Sequence, residues 1–537
     1  MQKGRHALRR AAMRGRLSMA GLLVGLAACG GGGGDGAPPA GTGGDVASLA
    51  NRCAPDNPFA RNAQGALPAS LREGTRTDEL RFMRAYMKEV YLWPDEMPSL
   101  DPQTPAFQQT PFAQGMTAFF TGSLSPTLTP GGQRRDRFSE LVSTEYWKAV
   151  AEAGRAQNFG VEFVELTPQA PWDIRAALVH TGSPAARAGV LRGERLREIE
   201  TADGRRIDVV QASGQADLVL IGQLIHHTVA AGRRVVMVFE KADGSPRRVS
   251  LTSTEYEEPP ISAMQVLTAA DGARVGYVFI NGFNLPLEDA MQKAFTELKA
   301  QRVQDLVVDL RYNGGGYAYQ ASQLAYMVAG AARTKDKVFE QLRYNSRRQA
   351  ETSADQSRFP FVPVTSGTAG TGTTAGRPLP SLDLKRVYVL TGPGSCSSSE
   401  AFINGLRGID VEVVTIGGTT CGKPFGTTPR ENCGLTYLPI ETTAYNNKGQ
   451  GDYVDGIEPT CKVADVFGKG THTLGDPKER LLSMALLHRQ TGACGAATAD
   501  AAAKKGLGDG AEQGTAGGEG WLIRPPIRQL KIGQPGG

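Results

Sequence analysis

The run Leu306-Val307-Val308-Asp309-Leu310 is apolar at four of five positions and follows neither the helical period nor the alternation of a strand with one wet face. Such a strand has to be covered on both sides, which restricts it to a parallel sheet lying between helices. Its neighbours agree. Val275 to Ile280 reads as a strand, and Met291, Ala294, Phe295 and Leu298 form a helical stripe. Arg386 to Leu390 is a third short β-rich run, Phe402, Ile403 and Leu406 return to helical spacing, and Val411 to Ile416 is a fourth strand. The alternation predicts an α/β core built of βαβ units.

A chain of 537 residues with 40% hydrophobic content can bury a large core and divide into two or three domains. Its formal charge of +5 includes six cations, Lys3, Arg5, Arg9, Arg10, Arg14 and Arg16, and without them the balance is about −1. A near-neutral body argues against a nucleic-acid partner. Those cations precede the apolar run Leu17 to Ala28, too short to be a typical spanning helix, and together they read as a secretory signal peptide. The end of this leader, Leu26-Ala27-Ala28-Cys29, resembles the lipobox of bacterial lipoproteins, which implies lipidation of Cys29 and attachment to the cell envelope. The glycine-rich stretch behind it reads as a flexible tether reaching to about residue 74.

Chemistry concentrates in three stretches. Gly394-Ser395-Cys396-Ser397-Ser398-Ser399-Glu400 stands where a strand becomes a helix, so its serines lie near unpaired backbone N–H donors suited to an oxyanion. Ser397-x-x-Glu400 is equally a capping box, a purely structural motif. Ile416-Gly417-Gly418-Thr419-Thr420-Cys421-Gly422-Lys423 follows the next strand and delivers a lysine able to act as a general base. The third is Asn313-Gly314-Gly315-Gly316, which ends the Leu306 strand. A phosphate loop is the rival for these glycines, but no Gly-Lys-Ser/Thr follows them and no Gly-x-Gly-x-x-Gly is present.

Taken together, these stretches resemble the carboxyl-terminal processing (tail-specific) serine proteases, whose signature is Ser-x-Ser-x-Ser-Glu with Gly-Lys about 25 residues on. The resemblance implies Ser397 as nucleophile, Lys423 as base and Glu400 as supporting carboxylate. The spacing to the lysine is one residue longer than usual. Asp309-Leu310-Arg311-Tyr312-Asn313-Gly314-Gly315-Gly316 matches the family's glycine loop with glycine for proline, and Gly315 and Ser398 are the implied oxyanion-hole donors. Some members place a glutamine four residues after the lysine to orient it; Thr427 stands there. Because an ordinary lysine is protonated at neutral pH, the base has to be buried, with Glu400 acting through hydrogen bonds to the loops rather than as its ion-pair partner.

Phe159-Gly160-Val161-Glu162-Phe163 and the run Gly182-Ser183-Pro184 through Leu196 resemble a PDZ domain spanning about 155–255. That implies capture of a substrate's C-terminal carboxylate by the backbone around Phe159, Gly160 and Val161, with the peptide added as a strand and a helix around Ala216 to His227 as the other wall. His226 and His227 read as surface or packing residues. Before the PDZ region, 75–150 reads as a small helical domain, with an amphipathic helix from Asp78 to Trp93 and helical character in Phe107 to Phe120 and Asp136 to Leu141. The implied protease core spans 260–494 in a crotonase-like α/β fold, interrupted by a mobile insertion at about 345–380; the tail 495–537 reads as disordered. An exported chain with six cysteines besides Cys29 is expected to form disulfides. The nearest partners in sequence are Cys421 with Cys433 and Cys461 with Cys494, leaving Cys53 with Cys396. No cofactor or metal is expected. The implied activity is peptide-bond hydrolysis through a serine acyl-enzyme; the competing reading is a non-catalytic envelope lipoprotein that binds protein C-termini.

Overall fold

A computed structural model describes residues 44–225, 229–495, 521–523 and 531–532. The leader, Cys29, most of the tether, His226, His227 and the remainder of the tail lie outside the described residues. Among the described residues no helix is long and apolar enough to cross a membrane.

The central sheet has six strands in the order Ile261–Thr268, Arg274–Ile280, Asp305–Asp309, Arg386–Thr391, Glu412–Gly417 and Cys461–Lys462. The last five are mutually parallel and the first is antiparallel to its neighbour. Successive side chains alternate between its faces. Val278, Ile280, Leu306, Val308, Val387 and Val389 meet the helices Leu287–Ala300, Ala318–Ala329 and Ser398–Arg407, while Tyr277, Phe279, Val307, Tyr388 and Leu390 meet the helix Arg480–Thr491 and the apolar residues Val164, Ala177 and Leu178 of the preceding domain. That two-sided cover is why the strands are mostly apolar on both faces.

Residues 155–257 form a predominantly antiparallel domain. Val161–Glu165, Ile174–Val179, Arg195–Thr201, Arg234–Glu240 and Pro246–Thr252 make its sheet. Packed with them is a core that includes Phe163, Leu196, Ile199, Met237, Phe239 and, from the helix Gln215–Ile225, Ile221 and Leu224. The Ser-Pro motif has a local cause: Ser183 accepts from Ala186 N–H at the start of the turn Pro184–Arg187, Pro184 occupies its first position, and Gly189 leaves it at φ +76°.

In the N-terminal region the amphipathic helix is Arg76–Val90, starting two residues before the expected Asp78 because Thr75 and Asp78 close a reciprocal cap, and ending when Tyr91 turns extended. Its Leu80, Met83, Met87 and Val90 pack on Phe112, Met116, Phe119 and Phe120. Asp136 to Leu141, expected as helix, is instead a turn followed by the strand Glu140–Ser143, which pairs with Leu435–Leu438. The Asp136 carboxylate accepts the N–H groups of Phe138 and Ser139 and the Tyr91 hydroxyl, fixing a turn at the place where a helix would have to start.

The expected insertion does contain a hairpin, Val338–Arg343 with Arg358–Pro360, and it joins Thr442–Tyr445 and Phe425–Gly426 in a second sheet. Its Gly/Thr segment is not loose chain. Ser366 donates through N–H and hydroxyl to the buried Glu288 carboxylate at 2.6 and 3.0 Å, Thr373 donates to the same group, and Thr365 and Thr371 are buried.

Candidate active site

The serine loop begins where the strand Arg386–Thr391 ends, and the helix Ser398–Arg407 starts directly after Ser397. Ser397 has φ 61° and ψ −113°, a conformation that costs a non-glycine residue of order 1–3 kcal/mol and has to be imposed by its surroundings. The neighbouring serines impose it. Ser395 Oγ donates to Leu310 O at 2.7 Å and accepts Gly392 N–H at 3.1 Å; Ser398 Oγ donates to Gly316 O at 2.7 Å; Ser399 Oγ donates to Asn313 O at 2.8 Å. Each stitches the serine loop to the glycine loop or its strand. Ser397 Oγ is buried and has no hydrogen-bond partner. Glu400 accepts Ser397 N–H at 2.8 Å, and the reciprocal approach of the Ser397 hydroxyl to the Glu400 N–H, the other half of the capping box, falls short of a hydrogen bond. A buried hydroxyl left without a partner, on strained backbone at a helix start, calls for a reason other than capping.

Glu400 connects this loop to the lysine loop. Besides Ser397 N–H its carboxylate accepts Gly422 N–H and Lys423 N–H, both at 2.8 Å, and the Thr420 hydroxyl. Burial pushes its pKa up, opposed by the Thr420 hydroxyl and the three N–H donors. Lys423 is fully buried, with Nζ 5.2 Å from the centre of the Phe138 ring. The approach of the two loops follows from topology: the strands that lead into them are parallel neighbours, so both loops leave the same edge of the sheet. Thr427, at the position of the family's glutamine, donates its hydroxyl to Pro439 O at 2.7 Å.

The same juxtaposition corrects the disulfide pairing. Cys421 pairs with Cys396 across the two loops, Cα atoms 5.1 Å apart, and Cys433 pairs with Cys53, tying the N-terminal region to the body. Cys461 pairs with Cys494 as expected. Sequence proximity favoured Cys433 for Cys421, but the parallel sheet sets Cys421 beside the serine loop. The 25-residue separation corresponds to about 3 kcal/mol of stabilisation in the chain-entropy account. Replacing both Cys396 and Cys421 by serine is expected to lower unfolding free energy by that order in denaturant titrations, and to lower activity further by freeing the lysine loop.

Two donors expected from the sequence are engaged elsewhere. Gly315 N–H donates to Asn313 Oδ1 at 2.9 Å, closing an Asx turn, and is therefore not directed at an oxyanion. Gly160 N–H likewise donates to Asn158 Oδ1 at 2.6 Å. Gly160 is nonetheless required, since at φ +84° an added Cβ would stand 1.9 Å from Ser183 Cβ. Phe159 and Val161 point into the domain core rather than forming an open pocket. Ser398, the other implied oxyanion donor, is the first residue of its helix, where N–H groups lack intrahelical partners.

Several contributors were not singled out from the sequence. Arg311, buried under the glycine loop, donates bidentately to Glu479 at 2.8 Å and through Nε to Asp309 at 3.0 Å; burial alone would raise the Glu479 pKa, and Arg311 holds it instead at about 2. Arg137 donates to Cys421 O at 2.8 Å, bracing the lysine loop. Glu140, in the segment first read as helical, is close enough to be influenced by Lys423. Burial pushes its pKa up to about 7, against the pull of Lys423. The folded chain then retains this proton to about pH 7 while the unfolded chain releases it near 4.3, so the group's contribution to stability falls as pH rises through that window, by of order 1–3 kcal/mol after allowance for partial exposure. Unfolding at pH 5 and pH 8 is expected to show this loss in the native chain and a smaller one in Glu140→Gln.

The family model for Peptidase family S41 matches residues 274–463. The chain is 30% identical over 205 residues to carboxyl-terminal-processing peptidase 3 of Arabidopsis thaliana chloroplasts, covering 36% of each protein. It is 25% identical over 283 residues to the carboxy-terminal processing protease CtpB of Bacillus subtilis, covering 50% of this chain and 51% of the relative. The matches thus span about half or less of these curated relatives. Among solved structures, an S41 protease structure from Bacteroides fragilis shares the fold with a TM-score of 0.55 at 22% identity, over 76% of this chain and 97% of the other. The stretch that the model of peptidase family S41 matches is the parallel core that presents the glycine, serine and lysine loops from one sheet edge.

Proposed function

We propose that the chain is a serine endopeptidase of the cell envelope that cleaves peptide bonds by a Ser397/Lys423 acyl-enzyme mechanism. The observation that carries this reading is the buried, unpartnered Ser397 hydroxyl, set on strained backbone and linked through Glu400 to the loop bearing Lys423. Lys423, in its neutral form, takes the hydroxyl proton as Ser397 attacks the carbonyl, and the ammonium so formed then gives that proton to the leaving amine. Water repeats the cycle to release the acyl product. Glu400 is a positioning residue, holding both loops by their N–H groups. Ser398 N–H, at the positive end of its helix, stabilises the oxyanion, and a second donor becomes available if substrate displaces the Gly315 contact with Asn313.

The domain at 155–257 selects protein substrates by adding their C-terminal segments to the edge of the strand Val161–Glu165. Hydrolysis of an unfolded protein or a fluorogenic peptide by the native chain and its loss in Ser397→Ala test the activity; a well-folded native chain that cleaves neither, yet binds protein C-termini, favours the non-catalytic reading instead. Attachment through a lipid on Cys29 follows from the leader. Cys29→Ser is expected to move the protein from the membrane to the soluble fraction, and a native protein that is soluble without detergent would refute the anchor. Gly30, rather than the aspartate that commonly retains lipoproteins at the inner membrane, favours the outer membrane as the site of attachment.

A further inference from the structure

Two short strands from the end of the chain lie on edges that bracket the proposed substrate path. Trp521–Ile523 adds antiparallel to Val161–Glu165, with Trp521 opposite Glu165, Leu522 opposite Val164 and Ile523 opposite Phe163. It is the outermost strand of that domain's sheet and runs toward the Phe159–Gly160 turn. Eight residues further on, Lys531–Ile532 pairs in parallel with Gly316–Tyr317. Gly316 is the residue whose carbonyl receives the Ser398 hydroxyl, one position from the nucleophile. Lys531–Ile532 also lies near Phe425–Gly426, which follows Lys423 by two residues.

Both pairings are made by backbone, which is what an extended polypeptide substrate also offers, whatever its sequence. A protein chain held at Val161–Glu165 and passing the serine loop needs the two edges that this segment fills. We propose that Trp521–Ile523 and Lys531–Ile532 are in-cis ligands of the substrate path, which block it until an incoming chain displaces them. The proposal rests on the reading of these edges as the substrate path, and it identifies the peptide class they take: an extended strand that docks through its backbone. A tethered segment acts at an effective concentration on the order of millimolar, so even a strand that binds with an affinity of roughly 100 μM would raise the apparent KM about tenfold.

The test uses two readouts. In a Ser397→Ala background, hydrogen exchange compares the full chain with one ending at Gly520, which lacks both strands. Exchange at residues 161–165 and at Gly316 is expected to be at least tenfold faster in the shortened chain, while Tyr317 N–H stays held by Phe283 O. Leu522→Pro in the full chain, which removes a backbone donor, should reproduce the change at the first edge. With Ser397 intact, the shortened chain should cleave a peptide with KM lowered about tenfold at unchanged kcat, and a synthetic peptide of residues 518–535 added in trans should inhibit it competitively. Equal exchange at both edges, or equal KM with no inhibition by the peptide, overturns the proposal. If exchange differs as expected while neither form cleaves any peptide, the in-cis docking stands and the peptidase reading fails.

Discussion

Replacing Ser397 by alanine is expected to lower kcat for peptide hydrolysis by roughly 10,000-fold or more, the scale seen when an acyl-enzyme nucleophile is deleted, with the fold intact. The same change at Ser395 or Ser399 should leave activity within about tenfold of the native chain. The difference rests on what each hydroxyl does. Ser395 and Ser399 donate to Leu310 O and Asn313 O, and losing one such buried bond costs about 1–3 kcal/mol of stability without removing a reacting atom. Ser397 Oγ has no structural bond to lose. Steady-state kinetics on the three variants, with circular dichroism to confirm folding, decide the register; an active Ser397→Ala beside an inactive Ser399→Ala would move the nucleophile to Ser399.

Lys423 carries the second large effect. Arginine stays protonated at any pH a protein survives, so Lys423→Arg should be as inactive as Lys423→Ala, both reduced by roughly 100- to 10,000-fold in kcat. A role limited to positive charge would instead spare the arginine variant. The native rate should rise with pH across the neutral range, because attack needs the neutral amine and burial disfavours the ammonium. The Glu140 carboxyl, which titrates at about 7 beside Lys423, adds a second influence in the same window: once ionised it favours the ammonium and opposes the rise. Glu140→Gln should therefore steepen the climb of rate above pH 7. A flat profile with acylation rate-limiting would remove Lys423 from the role of base.

The parallel core was legible because its signals are local. The apolar run at Leu306 states that both faces are covered, and the stripe Met291, Ala294, Phe295 and Leu298 states which side of the next helix is buried. The serine and lysine loops were legible as chemistry through their resemblance to a family motif. Long-range geometry was hidden. Nothing near Cys421 in sequence indicates that Cys396, 25 residues earlier, is its neighbour, because that contact is made by the pairing of Arg386–Thr391 with Glu412–Gly417. Asp136 to Leu141 misled for a related reason, since the turn is set by Asp136 capping its own following N–H groups and the strand by a partner about 300 residues away. Glu140 was lost with it. The donors of Gly315 and Gly160 were assigned by position in a motif, whereas the side chain two residues earlier, Asn313 or Asn158, claims each N–H. The tail was read as disordered from its composition, and the two short strands at 521–523 and 531–532 owe their pairing to sheet edges rather than to any period of their own.

The most direct test of the central claim is covalent labelling with a phosphonylating reagent that reacts only with activated serines, followed by mass spectrometry of the modified peptide. Applied to the full chain and to the chain ending at Gly520, it should place one adduct on Ser397, formed faster in the shortened chain and absent in Lys423→Ala. An adduct on Ser395 or Ser399, labelling of Ser397 that is unaffected by the loss of Lys423, or no adduct in either folded form would contradict a Ser397/Lys423 peptidase.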